Sequence, residues 1–163
     1  MGLELHPTKT RTVFCKDSNR KESYSNTSFD FLGYTFGPRL IRDRNGKYFV
    51  GFTPAVSGKA QTAMRQRLHD LHLVRRTDLA IEEIAQMINP ILRGWIQYYG
   101  RFHRSAMRKV LDPLNWTLVR WVRRKYKRFR YHPREAACWL GRIARRQPEL
   151  FAHWQAGLFP TAE

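Results

Sequence analysis

Acidic residues are scarce in this chain. Thirteen Asp+Glu stand against thirty Lys+Arg, which leaves a formal charge of +17 over 163 residues. A folded surface so one-sided repels itself and calls for an anionic partner. Nucleic acid comes first, ahead of an anionic membrane surface or an acidic protein. Cysteine is nearly missing too. Cys15 and Cys138 lie far apart in no pairing pattern, which argues against a disulfide framework and for a reducing compartment. No apolar run approaches the ~20 residues of a membrane span. The opening MGLELHPTKT lacks the apolar core of a secretory signal. The expectation is a cytoplasmic protein that makes no use of a membrane.

Catalytic patterns are also missing. There is no CxxC pair, no HExxH, and no glycine-rich phosphate loop following a strand. Glu82 and Glu83 are adjacent on an expected helix and therefore diverge. His69 and His72 are three residues apart but lack a third ligand in register, which makes a poor zinc site. The residues themselves imply no catalytic group, no metal and no cofactor. Disorder is excluded as well, because 42% hydrophobic and 13% aromatic residues can bury enough apolar surface to offset chain entropy.

Periodicity divides the chain. Thr10–Lys16 alternates and predicts a strand; Asp17–Ser28 is polar and aperiodic; Phe29–Phe36 predicts a second strand. Arg39–Arg44 and Lys47–Phe52 flank Asn45-Gly46, which suits a two-residue type I′ hairpin, and Thr53-Pro54 ends the sheet. From Ser57 the period becomes about 3.6. Ser57 is an N-cap candidate before a stripe of Ala60, Met64, Leu68 and Leu71. A second helix, capped by Thr77 or Asp78, carries Ile81, Ile84, Ile88, Leu92, Trp95 and Tyr99 on one face. Pro90 predicts a kink or break near Asn89, and Gly100 a stop. A third helix over about 103–130, restarted at Asp112-Pro113, buries Leu111, Leu114, Leu118, Val122, Tyr126 and Phe129. A fourth begins at Pro133, and PELFAHWQAGLF offers a short helix with apolar residues to pack beneath the bundle. The expected class is α+β: about four antiparallel strands in residues 1–54, then three to four helices in 55–163.

The strongest signal is Asn89–Arg134, where arginines and lysines interleave with aromatics and Asp112 is the single acid. Between Asp112 and Glu135 no carboxylate offsets Arg120, Arg123, Arg124, Lys125, Lys127, Arg128, Arg130 and Arg134. A solvated helix face ordinarily mixes signs, so this run points to phosphate contact. Arg93, Arg101 and Arg104 near the bend join the expected set. Tyr98 and Phe102 are open to base stacking; Trp95 and Tyr99 belong to the core stripe; Trp116 and Trp121 fit either role.

Three blocks together resemble a known family. GLELHPTKTRTVFCKD followed by FDFLGYTF looks like the end of the palm in reverse transcriptases encoded by group II introns. NPILRGWIQYYGRF, LDPLNWTLVRWVRRKYKR and PELFAHW look like their maturase-specific domain, also called domain X or thumb. The resemblance implies a primer-grip-like role for Phe31, Leu32 and Gly33. It also implies a helical thumb that holds template–primer duplex and helps the intron RNA fold for splicing. The polymerase aspartates of that family precede the first block, and no Tyr-Ala-Asp-Asp type motif occurs here. The chain alone is therefore expected not to polymerise DNA, and Mg2+ is expected only for the full-length polymerase. The partners implied are group II intron RNA or a template–primer duplex, and an N-terminal reverse transcriptase fragment if the chain is half of a split enzyme. A gene remnant that still folds, and a general DNA-binding protein, are the remaining readings.

Overall fold

The run Phe29–Phe36, expected as one strand, folds back on itself. In a computed structural model, which describes residues 10–102 and 104–160 (Arg104 by its backbone alone), β1 (Phe29–Phe31) pairs antiparallel with β2 (Tyr34–Arg42). Leu32 and Gly33 have φ of 48° and 79° and form the two-residue turn between them. Positive φ at both positions is the type I′ pattern, whose twist matches the flanking strands. Glycine adopts it freely, whereas for Leu32 it costs about 1–2 kcal/mol.

Asn45-Gly46 also makes a hairpin, but of another kind. β3 (Tyr48–Val56) pairs with β2 from Arg42↔Tyr48 to Tyr34↔Val56, leaving five residues in the loop. Only Gly46 is left-handed there, at φ 84°. The Gly46 N–H donates to Asp43 O, and the Lys47 N–H to the Asp43 carboxylate at 2.8 Å. This is a type I turn followed by a left-handed glycine. The Asp43 side chain secures it, a bond that the dipeptide Asn-Gly does not announce.

β3 also runs past Pro54 to Val56. The Asp43 N–H donates to Lys47 O and the Ser57 N–H to Gly33 O, which sets the phase of the β2–β3 ladder. Counting in steps of two, Pro38 and Pro54 both occupy positions with no ladder bond to lose. Thr10–Lys16 is not a strand. Its Phe14 N–H bonds Asn26 O at 2.9 Å, while Ser18 meets β3 instead, donating its N–H to Val50 O at 3.0 Å. The described sheet thus has three strands, in the order β1-β2-β3, rather than about four. The α+β class holds.

The chain divides into two compact units between Ser57 and Gly58. The second is helical: α1 (Gly58–Asp70), α2 (Ile81–Tyr99), α3 (Arg104–Lys125), α4 (Pro133–Arg146) and α5 (Ala152–Gln155), with short 3-10 turns at Leu73–Arg75 and Lys127–Phe129. Neither Pro90 nor Pro113 breaks its helix. Both prolines are exposed, so the carbonyls they leave unbonded can be hydrated. Ala80, rather than Thr77 or Asp78, is the N-cap of α2, with the Glu83 carboxylate accepting its N–H at 2.6 Å. Asp78 pairs instead with Arg76 at 3.3 Å, and that hydrogen bond holds its carboxyl below the ordinary value. Gly100 closes α2 as expected, its N–H bonded to Ile96 O.

α2 and α3 supply most of the core, through Ile84, Ile88, Leu92, Leu111, Leu114, Leu118 and Val122. Trp121 is wholly buried and its indole N–H donates to Arg76 O at 2.8 Å. Two buried asparagines then hold the C-terminal segment. Asn89 donates to Leu150 O and accepts the Ala152 N–H, each at 2.9 Å. Asn115 donates to Leu158 O at 3.1 Å, which turns its Oδ1 toward Trp154 Nε1 and His153 Nε2, both at 2.9 Å. A carbonyl oxygen only accepts, so His153 carries its proton on Nε2. Its Nδ1 is buried without a partner, and burial pushes the imidazole pKa down to about 3.

Candidate nucleic-acid interface

The cationic run expected as one helix to Arg130 is bent. α3 ends at Lys125, Tyr126 is extended (φ −105°, ψ 113°), and Lys127–Phe129 form a 3-10 turn. Two causes are visible. Arg123–Lys127 and Arg124–Arg128 would be like-charged neighbours along a continued helix. Tyr126 and Phe129 also turn onto Trp139 of α4, with ring centroids 5.3 and 5.9 Å away.

The bend sorts the cations by task. Arg120, Arg124, Lys127, Arg128 and Arg130 are exposed. The Arg128 guanidinium lies 4.3 Å from the Phe129 ring centroid, and that of Arg130 5.6 Å from Tyr131, so both heads are oriented while their N–H groups stay open to an anion. Arg123 and Lys125 have other work. Arg123 donates twice to Arg130 O, at 3.2 and 3.0 Å, which ties the 3-10 turn to α3. The Lys125 ammonium donates to the carbonyls of Thr77 and Leu79 and sits 5.3 Å from the Trp121 ring centroid. Among the cations expected to meet RNA, these two hold protein to protein. Nothing in the residue order separates them from their neighbours. Among the described residues, no cation of the run is ion-paired with a carboxylate.

The remaining expected cations lie elsewhere. Arg93, in α2, and Arg101, after it, are exposed; the Arg104 side chain lies outside the described residues. From Arg104 to Arg124 the rise along α3 is about 30 Å at 1.5 Å per residue. Arg104 and Arg124 therefore mark opposite ends of one helix and cannot share a phosphate. Tyr98, Phe102 and Trp116 are exposed, while Trp95 and Tyr99 are half-buried. Phe31, Leu32 and Gly33 form the tip of the β1–β2 hairpin, with Phe31 59% and Leu32 68% exposed.

No described helix is long and apolar enough to cross a membrane. No group of three or more His, Cys, Asp or Glu among the described residues is placed to hold a metal ion. The arrangement is a helical unit with a cationic run free of ion pairs among the described residues and a core closed by its own C-terminal segment. That defines a class of basic helical domain. The family model described as group II intron, maturase-specific domain matches residues 61–139. Residues 61–139, just under half of the chain, are thus similar to a group II intron maturase-specific domain. No curated protein and no solved structure gives a significant match.

The matched span contains Asn89 and Asn115, which in the sequence stand only as members of motif blocks. An asparagine flanked by apolar helix-stripe residues is the signal that could have singled them out, since a buried amide needs partners on another segment.

Proposed function

We propose that this chain is an RNA-binding maturase module. It binds group II intron RNA through the C-terminal end of α3 and the turn that follows, and so favours the folded, splicing-competent RNA. In a full-length reverse transcriptase the same helices would grip template–primer duplex. The observation that carries this reading is the coincidence of the family match with a cationic run that no carboxylate neutralises. Such a surface gains by releasing counterions from a phosphate backbone. No residue of the chain is assigned a catalytic role.

The test replaces Arg124, Lys127, Arg128 and Arg130 with glutamine and leaves Arg123 and Lys125 in place, so that the fold keeps its ties. Affinity for intron RNA should fall, and the dependence of log affinity on log salt should flatten by about 0.7–0.9 per phosphate no longer bound. An unchanged slope would place the RNA elsewhere.

A second reading has its own support. The three-stranded sheet exposes Phe29, Phe31, Leu40, Tyr48 and Phe49, and β1 has no strand on its outer side among the described residues. Exposed aromatics beside an open edge suit docking onto further palm strands. On that reading the chain is the C-terminal half of a split RNA-directed DNA polymerase. The N-terminal partner brings the aspartates and Mg2+, and Phe31–Gly33 lie near the primer. Primer extension by the two polypeptides together, and by neither alone, is the outcome that would favour it.

A further inference from the structure

We propose that the groove between α1, the Leu73–Arg75 turn and α3 receives an unpaired nucleotide of the bound RNA. Its base would lie on the apolar floor and its flanking phosphates on the rim. This rests on the RNA-binding reading above and adds to it a second site, which adjoins the first at Arg120.

The groove has a volume of about 730 Å³, within the roughly 300–1,000 Å³ of small-molecule sites. Leu68, Val74 and Pro113 provide apolar surface over the buried Leu73, Val110 and Leu114. Arg65, Arg75 and Arg120 stand around it, and no carboxylate lines it. Arg65 Nη2 donates to Thr62 Oγ1 at 3.3 Å and Arg120 Nη2 to Thr117 Oγ1 at 3.2 Å. Each guanidinium is thereby steadied by one nitrogen, with the rest of its fork open to phosphate oxygens. His69 and His72 add two rings at the edge, 5.8 Å apart and steeply inclined. The neighbouring acid, Asp70, is engaged by Gln66 Nε2 at 2.8 Å and lies 3.7 Å from His69 Nδ1.

This combination discriminates between nucleic-acid forms. A duplex presents phosphates to the rim but keeps its bases stacked, so the floor stays unused. A splayed loop or bulge offers a base face and phosphates together, which is how single-stranded RNA is ordinarily read. The pair His69 and His72, too sparse for a metal, fits naturally as ring surface beside a base. Arg65 and Arg75 fall outside the expected cations because each sits beside ordinary helix or linker residues. Only the fold brings them to Arg120.

Two variants of the full chain separate the contributions. Val74→Trp, at a half-buried groove position, fills the space without changing charge and keeps the hydrogen bonds that steady Arg65 and Arg120. Arg65→Gln with Arg75→Gln removes charge without filling it. The probe is a short RNA carrying a fluorescent adenine analogue, presented either unpaired or within a duplex. Val74→Trp should weaken binding of the unpaired probe at least about fivefold, the lower worth of one stacked base, with an unchanged salt slope. The double glutamine variant should flatten that slope by about 0.7 for each phosphate that the arginines held. Duplex affinity should move little in the first variant. If both variants bind the unpaired probe as the wild type does, the groove is not the site, and the α3 surface assignment is untouched. If the wild-type chain binds neither RNA form, both readings fall together. Displacement of the labelled RNA by an acidic peptide, but not by the same RNA without its label, would assign the groove to a protein partner and overturn the proposal.

Discussion

Lys125 lies in the most cationic stretch of the chain, yet its ammonium is turned toward the carbonyls of Thr77 and Leu79. Lys125→Gln should therefore behave unlike its neighbours. It should cost about 1.5–3 kcal/mol of stability, the worth of hydrogen bonds to a charged group, and leave the salt slope of RNA binding unchanged. Denaturant unfolding beside a binding titration would show both. His153 gives a second prediction at this scale. Its folded pKa is depressed to about 3 from 6.5, so the unfolded chain takes up the proton first as pH falls. The stability due to the neutral ring is full above about pH 6.5 and is lost progressively between there and pH 3, at up to about 1.4 kcal/mol per unit. His153→Gln keeps a donor for Asn115 and removes the titration. Its unfolding free energy should fall less steeply between pH 6.5 and 4 than that of the wild type. Parallel curves would mean that another group governs acid lability.

At the scale of elements, the apolar stripes are legible in the sequence and the ends are not. Ile84, Ile88, Leu92, Leu111, Leu114, Leu118 and Val122 are core as expected, because helical period reports burial directly. The hairpin at Leu32-Gly33 is hidden because leucine is a poor marker of positive φ, and the surrounding aromatics read as one strand. The prolines mislead in the opposite direction. Pro90 and Pro113 face solvent, where a missing donor costs less than the packing of α2 and α3 provides. The end of α3 is hidden for a third reason. Tyr126 and Phe129 continue its stripe, and only Trp139 on another helix draws them off it. The candidate interface is legible as composition, in that a run of cations lacks acids. Which cations are free depends on carbonyls at Thr77, Leu79 and Arg130, and local pattern does not encode those bonds.

For the whole molecule, the excess of positive charge and the closed core work at different ranges. Charge acts over roughly a Debye length, about 8 Å at physiological salt, and on the proposed function it governs how readily RNA is captured. The core depends on residues far apart in sequence. The Asn89 amide bonds Leu150 O across 61 residues, and Asn115 waits for Trp154 and Leu158. At about 5–20 residues per second of synthesis, α2 is complete some 3–12 s before its partner segment exists. During that interval the growing chain already displays its arginines while its buried amides are still hydrated. A stop codon after Gln147 should accordingly yield a protein that still binds RNA through charge but unfolds without a cooperative transition and is readily proteolysed. Pulse proteolysis of the two lengths would show it. The ribosome, rather than the RNA, thus sets the earliest moment at which this domain can become a finished surface.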